Sequence, residues 1–163
     1  MVWIIVVAGI VLDQLTKRLA AATLADGRQI ELIPHFLYLT YGENRGAAWS
    51  LFAGQDWGIY LLSLISVLAA ILFAVWLRRE TARPRRVALA LILSGTIGNL
   101  IDRVAHGYVV DFIDTHFGSY RFPTFNIADS LLVTGMFVLV FILIRAEWKE
   151  HQGARHEPDH DHR

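Results

Sequence analysis

WGIYLLSLISVLAAILFAVWL, residues 57–77, runs for twenty-one positions without a charged side chain. At ~1.5 Å of helical rise per residue, such a stretch crosses the roughly 30 Å hydrocarbon core of a bilayer. It ends in RRETARPRR, residues 78–86, where five Arg surround a single Glu80 and a helix-stopping Pro84. Working outward, a second apolar run, VALALILSGTIGNLI, starts at Val87 and meets Asp102 and Arg103. A third, Leu131 to Ile144, follows Asp129 and stops at Arg145. The opening MVWIIVVAGIVL continues into DQLTKRLAAATL with no breaker before Gly27. No basic residue precedes this run, and charges stand where a small-residue cleavage site should lie, so it reads as a retained helix and not as a cleaved leader.

These runs predict an all-α integral membrane protein with four transmembrane helices, spanning about 2–22, 57–77, 87–104 and 127–144. Composition agrees: 55% of the 163 residues are hydrophobic and only 18% charged, with a mean hydropathy of +0.42. A soluble domain carries about 25% charged residues. Fifteen basic and fifteen acidic residues cancel, and the Arg gather at the ends of apolar runs, which speaks against a nucleic-acid binder. Cysteine is absent, excluding disulfides, a thiol nucleophile and thiolate metal sites. The length suits one domain, placed at 1–146, followed by a polar, His-rich tail at 147–163 expected to be disordered. The Arg-rich 78–86 connection belongs on the cytoplasmic side, which puts both termini there as well. The 25–56 and 105–125 connections then face outward. In the first, ELIPHFLYLTY is strand-like and GENRGAAW turns it back, predicting a small extracytoplasmic β-cradle from Glu31 to Phe52, between helices 1 and 2.

Ionisable residues inside membrane spans are costly and are functional candidates by default. Counted from the cytoplasmic helix ends, Asp13 lies ~18 Å deep, and Asp102 and Asp129 each ~24 Å. Asp111 follows on the short connection back to the fourth helix. Asn99 stands one turn before Asp102, and Asn126 three residues before Asp129. Each has a plainer reading: Asn126 fits a helix N-cap, and Asp129 in the first turn suits the helix dipole. Together they describe a polar chamber near the outer face of a four-helix bundle. Lys17, Arg18, Arg45, Arg103 and Arg121 are the cations placed to neutralise it.

Five blocks carry a resemblance: Asp13-Gln-Leu-Thr-Lys17, Glu43-Asn-Arg-Gly-Ala-Ala-Trp-Ser50, Gly98-Asn-Leu-Ile-Asp-Arg103, Val109-Val-Asp-Phe112 and Phe125-Asn-Ile-Ala-Asp-Ser130. In order and spacing the chain resembles the lipoprotein signal peptidases (signal peptidase II), over nearly the whole stretch from Val2 to Ile144. The resemblance implies an aspartyl endopeptidase of the bacterial cytoplasmic (inner) membrane, without metal or other cofactor and with its site near the outer face. Its substrates would be diacylglyceryl-modified prolipoproteins, cut just before the lipidated cysteine. By motif, the catalytic pair carries over to Asp111 and Asp129, and supporting or substrate-binding roles to Asp13, Asn44, Asn99, Asp102, Arg103 and Asn126. Membrane lipids and globomycin-like lipopeptide inhibitors are the further partners implied. A bundle enclosing its own site needs no second copy, so a monomer is expected.

The chemistry asks for these residue types. Without a metal or covalent nucleophile, one carboxylate must deprotonate water while another carboxyl protonates the departing group. Two close carboxyls cannot both ionise easily, so they share a proton and can fill both roles. Rival protease chemistries lack parts: the chain has no HExxH, no Cys and no G-x-S-x-G. Asn44, Asn99 and Arg103 are donors suited to peptide carbonyls, and Asp102 is positioned to orient Arg103 or cap a turn. A proton- or cation-coupled transporter is the alternative, but it predicts internal repeats and a polar inner half, neither of which stands out.

Overall fold

The computed structural model describes residues 2–46 and 57–154. Four helices form, α1 (Val2–Leu24), α2 (Gly58–Arg79), α3 (Arg83–His106) and α4 (Ile127–Ala154), together with strands β1 (Ile30–Ile33), β2 (Leu37–Asn44), β3 (Val109–Phe117) and β4 (Tyr120–Arg121). Helices α2, α3 and α4 are long and apolar enough to cross a membrane. Helix α1 is of similar length, but Asp13, Lys17 and Arg18 interrupt its apolar run. Pro84 stops nothing: α2 has already ended at Arg79, and Pro84 sits in the first turn of α3, where a missing N–H costs no hydrogen bond. At the other end, α4 runs past residue 147 to Ala154, because RAEWKEHQ contains no breaker before Gly153. The remainder of the expected tail, 155–163, lies outside the described residues, as do Ala47 to Phe52 of the expected cradle.

Helix α3 is the axis of the bundle, packed against α1, α2 and α4. Its buried set includes Ala88, Leu89, Ile92 and Leu93, and also Ser94, Thr96, Asn99 and Asp102. On α1 the buried positions are Val2, Val6, Gly9, Asp13, Lys17, Ala20 and Leu24, a seam of three- and four-residue steps. The charges of α1 therefore face protein, and its outer face shows Ile4, Val7, Val11, Leu15 and Leu19. By contrast α2 buries only Gly58 and Leu77 and exposes Leu64, Leu68, Ile71 and Leu72.

Helices α3 and α4 approach at glycine. A Cβ added at Gly95 would collide with the Ala128 carbonyl, and one at Gly135 would lie 2.8 Å from the Ala88 carbonyl. Such small contacts let backbones meet where lipid supplies no hydrophobic drive between helices.

The sheet is antiparallel, in the order β1-β2-β3-β4. Two findings correct the sequence expectation. ELIPHFLYLTY is not one strand but a hairpin, reversed at Pro34-His35-Phe36 with His35 at φ 60°. The cradle is also not confined to the segment between α1 and α2, because VVDFIDTHF forms β3, so Asp111 stands on an inner strand and not on a loop. Gly107, left-handed at φ 76°, ends α3 and turns the chain into β3.

The β2–β3 register decides which side chains meet. Leu39 pairs with Ile113, but Gly42 pairs with Asp111 and Asn44 with Val109, so one extra residue is absorbed in β2. Side chains alternate faces along a strand, so this shift brings Asn44, instead of Glu43, to the face that carries Asp111.

Gly95→Val should therefore force α3 and α4 apart and destabilise the fold by about 1–3 kcal/mol, the usual cost of overpacking. Thermal unfolding in detergent should show a lower Tm, and an unchanged melt would mean that the helices have room to spare.

Candidate active site

The entry of α4 assembles the site. Asn126 is its N-cap and Asp129 its third residue, and they form a reciprocal capping box. The Asp129 N–H donates to Asn126 Oδ1 at 2.9 Å, and the Asn126 N–H donates to Asp129 Oδ2 at 3.2 Å. The Ala128 N–H donates to Asp13 Oδ1 at 2.8 Å. Side chains of the site thus satisfy two of the first-turn donors that every helix leaves open. The cap anticipated from sequence forms, and the same two residues also line the cavity described below.

Asn126 reaches both candidate aspartates. While its backbone meets Asp129, its Nδ2 donates to Asp111 Oδ1 at 2.7 Å, to Asn99 Oδ1 at 3.1 Å and to the Val110 carbonyl at 3.2 Å. The segment before it returns alongside β3, with Phe125 N–H donating to the Ile113 carbonyl at 3.0 Å, which sets Asn126 beside Asp111. The second oxygen of Asp111 accepts from Asn44 Nδ2 at 3.0 Å, and Asp129 Oδ1 accepts from Asn99 Nδ2 at 2.7 Å. Asn44, Asn99 and Asn126 are the only asparagines in the chain, and all three donate to this pair of carboxylates.

Beneath the pair lies a buried ion cluster. Lys17 Nζ is 2.9 Å from Asp13 Oδ2 and 3.0 Å from Asp102 Oδ2, and it donates to Asn99 Oδ1 at 2.9 Å. Gln14 Nε2 donates to Asp102 Oδ1 at 2.8 Å, and the Val110 N–H to Asp102 Oδ2 at 3.1 Å, which ties the start of β3 to α3. Asp102 therefore does not orient Arg103. Successive helical residues point about 100° apart, and Arg103 turns to Ser66 Oγ at 3.4 Å, its Nε buried without a hydrogen-bond partner among the described residues. Of the other cations expected to neutralise the carboxylates, Arg121 serves Asp114, Arg45 stands 4.0 Å from Glu43, and Arg18 is exposed.

Asp111, Asp129, Asn44, Asn99 and Arg103 open onto one cavity of about 1060 Å³, closed further by Phe122, Pro123, Phe125 and Val133. Asp13, Asp102 and Asn126 stand behind this lining. Burial, reinforced by the negative charge of Asp129, pushes the Asp111 carboxyl up to about 7. One group of the site thus titrates near neutrality, where proton transfer in both directions is efficient. The eight residues named from the sequence stand at this cavity or behind its lining, together with Gln14 and with Lys17, whose linking contacts the sequence alone does not show. The available signal was Asp13 and Lys17 at i and i+4 inside an apolar run, the spacing that puts opposite charges on one helix face.

The signal peptidase (SPase) II family model matches residues 5–145. A lipoprotein signal peptidase of Listeria monocytogenes (serotype 4a, strain HCC23) is 43% identical over 153 residues, 94% of this chain and 98% of the relative. That of Clostridium novyi is 41% identical over 143 residues, covering 87% and 96%, and that of Staphylococcus haemolyticus is 38% identical over 148 residues, covering 90% and 93%. Among solved structures, a bacterial membrane enzyme determined in meso at 2.3 Å resolution superposes with a TM-score of 0.83 at 33% identity, over 99% of this chain and 94% of that one. A second, at 1.9 Å resolution, gives 0.77 at 38% identity, over 87% and 91%. The transporter alternative finds no support in these relatives. With most of its length matched by the family model and by relatives of this closeness, the chain belongs to the signal peptidase II family.

Proposed function

We propose that this protein is an aspartyl endopeptidase that removes signal peptides from diacylglyceryl-modified prolipoproteins, cutting just before the lipidated cysteine. The observation that carries the reading is the pair of Asp111 and Asp129, joined through Asn126 and facing one cavity. One carboxylate takes a proton from the attacking water, and the other carboxyl protonates the departing amine. The titration of Asp111 near neutrality supports a shared proton, whose apparent pKa values belong to the pair. Asn44, Asn99 and Asn126 hold the carboxylates, and the unpartnered Arg103 Nε suits a peptide carbonyl.

The same reading makes α1 a fourth transmembrane helix, supported by its apolar outer face and its inward-facing charges. The termini and the Arg-rich turn lie in the cytoplasm of a bacterium whose inner membrane holds the bundle, with the sheet and cavity at the outer face. A diacylglyceryl anchor holds the substrate cysteine at that depth, each buried CH₂ adding ~0.8 kcal/mol of partitioning. Residues 1–146 act as one peptidase domain, as a monomer. A cyclic lipopeptide of the globomycin type, presenting lipid and peptide together, would compete for the cavity.

Asp111→Asn and Asp129→Asn should each abolish turnover with the fold intact, since an amide cannot relay the proton. Asp111→Asn has a second signature. An acid whose pKa rises from 3.8 to about 7 on folding binds its proton more tightly in the native state, so stability falls as pH rises across that window and levels off above it. The variant should lose this slope in denaturation measured between pH 4 and 8, and substantial residual cleavage would remove either residue from the pair.

A reporter fused after Arg83 should read cytoplasmic and one at Asp26 external, because the Arg-rich turn fixes orientation. Reversed readings would place the cavity on the wrong face for exported precursors. In mixed micelles, a precursor lacking its lipid should be cleaved on the order of 10²-fold more slowly than the lipidated one, since a misplaced bond wastes a competent pair. Equal rates would show that the lipid only delivers substrate to the membrane.

A further inference from the structure

Lys17 is one of only two lysines in the chain and is 2% exposed. An ammonium has three N–H donors and no acceptor, and here three acceptors surround it at 2.9, 3.0 and 2.9 Å: Asp13 Oδ2, Asp102 Oδ2 and Asn99 Oδ1. The third contact is the informative one. A carboxylate is a symmetric acceptor, but a carboxamide has an oxygen end and a nitrogen end. Facing a group that can only donate, Asn99 must present its oxygen, and its NH₂ must then point the opposite way, to Asp129 Oδ1 at 2.7 Å. Asn126 Nδ2 also touches Asn99 Oδ1, but at 3.1 Å, and its two hydrogens are shared among that oxygen, Asp111 Oδ1 and the Val110 carbonyl. The donor committed to Asn99 is therefore Lys17.

We propose that Lys17 is a positioning residue for the reaction, its ammonium fixing the Asn99 carboxamide so that an N–H, and not a C=O, always faces Asp129. The proposal rests on the reading of Asp111 and Asp129 as the catalytic pair. With Asn99 reversed, its oxygen would point at Asp129, repelling the carboxylate and accepting from the protonated acid. Asp129 would be turned away from the cavity, and Asn126, which shares the Asn99 oxygen, would be freed with it.

The charged groups that face the ammonium are Asp13 from α1, Asp102 from α3, Asp111 from β3 and Asp129 from the entry of α4, and Gln14, Asn126 and the Val110 N–H share its acceptors. Removing Lys17 alone leaves Asp13 and Asp102 uncompensated, so loss of activity in Lys17→Met could reflect charge or misfolding. The deciding variant is Lys17→Met/Asp13→Asn, which removes one charge of each sign and keeps an oxygen at position 13 for the Ala128 N–H.

Two measurements separate the possibilities. Protein isotope-labelled selectively at asparagine shows three side-chain NH₂ pairs, one for each site asparagine, and an Asn99→Ser variant assigns the relevant one. The double variant carries a fourth pair, from the amide introduced at position 13, which Asp13→Asn alone assigns. Apart from it, the Asn99 pair should split into two sets or lose its protection from solvent exchange, against a single sharp set expected in the parent. On a lipidated precursor, kcat should fall on the order of 10²-fold with KM little changed, because substrate binding is intact and the alignment of Asp129 is not. A single unchanged Asn99 pair, or a kcat equal to that of the parent, would overturn the proposal and reduce Lys17 to charge compensation. The resonance readout does not depend on proteolysis, so a parent protein that fails to cleave the precursor would count against the function proposed above while the placement of Asn99 is still decided.

Discussion

One ammonium, shut away from water between two helices, constrains the rest of the molecule. Moving a single charge into a low-dielectric interior costs several kcal/mol, and breaking such a cluster by removing one partner typically costs roughly 3–5 kcal/mol. Lys17 is tolerated because all of its donors are used, and each acceptor holds something else in place. Asp13 receives the start of α4, Asp102 receives the start of β3, and Asn99 reaches Asp129. The cluster fixes where the chain re-enters the bundle from the sheet.

The two central carboxylates arrive on different kinds of support. Asp129 belongs to a helix whose first turn is capped by its own neighbours, so its position is as rigid as the capping box. Asp111 belongs to a strand whose ladder runs out over the end of the bundle. Asp114 secures that strand farther along: it is fully buried, and Arg121 holds it through two contacts at 2.9 and 2.7 Å with Gln29 adding a third at 3.1 Å. Burial pushes the Asp114 carboxyl up, but Arg121 and His116 more than offset this and hold it below the ordinary carboxylate range. Two aspartates on one strand are thus driven in opposite directions, Asp114 toward permanent charge and Asp111 toward exchange of a proton near neutrality.

The site was legible in the sequence because charge inside an apolar run is expensive and therefore conspicuous: Asp13, Asp102 and Asp129 announced themselves by position alone. The amides were legible by their spacing from those acids and by resemblance. What stayed hidden was long-range. VVDFIDTHF has the β-branched and aromatic content of a strand, yet its partner is β2, some seventy residues earlier, and nothing local to a connection between two helices reveals that pairing. The mistaken stop at Pro84 has a local cause, since proline both ends helices and opens them, and only the position of the first turn tells which. Lys17 was hidden by its neighbours: a cation beside Asp13 on one helix looks like ordinary pairing until the fold delivers Asp102 and Asn99 from another.

The extra residue in β2 makes the register of strand pairing itself a component of the site. Asn44 reaches Asp111 only because the register slips by one between Leu39 and Gly42. Were the strand to pair evenly past Leu39 at its present length, Tyr41 would stand opposite Asp111, and Glu43 would share its face in place of an amide donor. The irregularity at Leu39–Gly42, and not composition alone, therefore decides whether Asp111 meets an amide donor or a second acid.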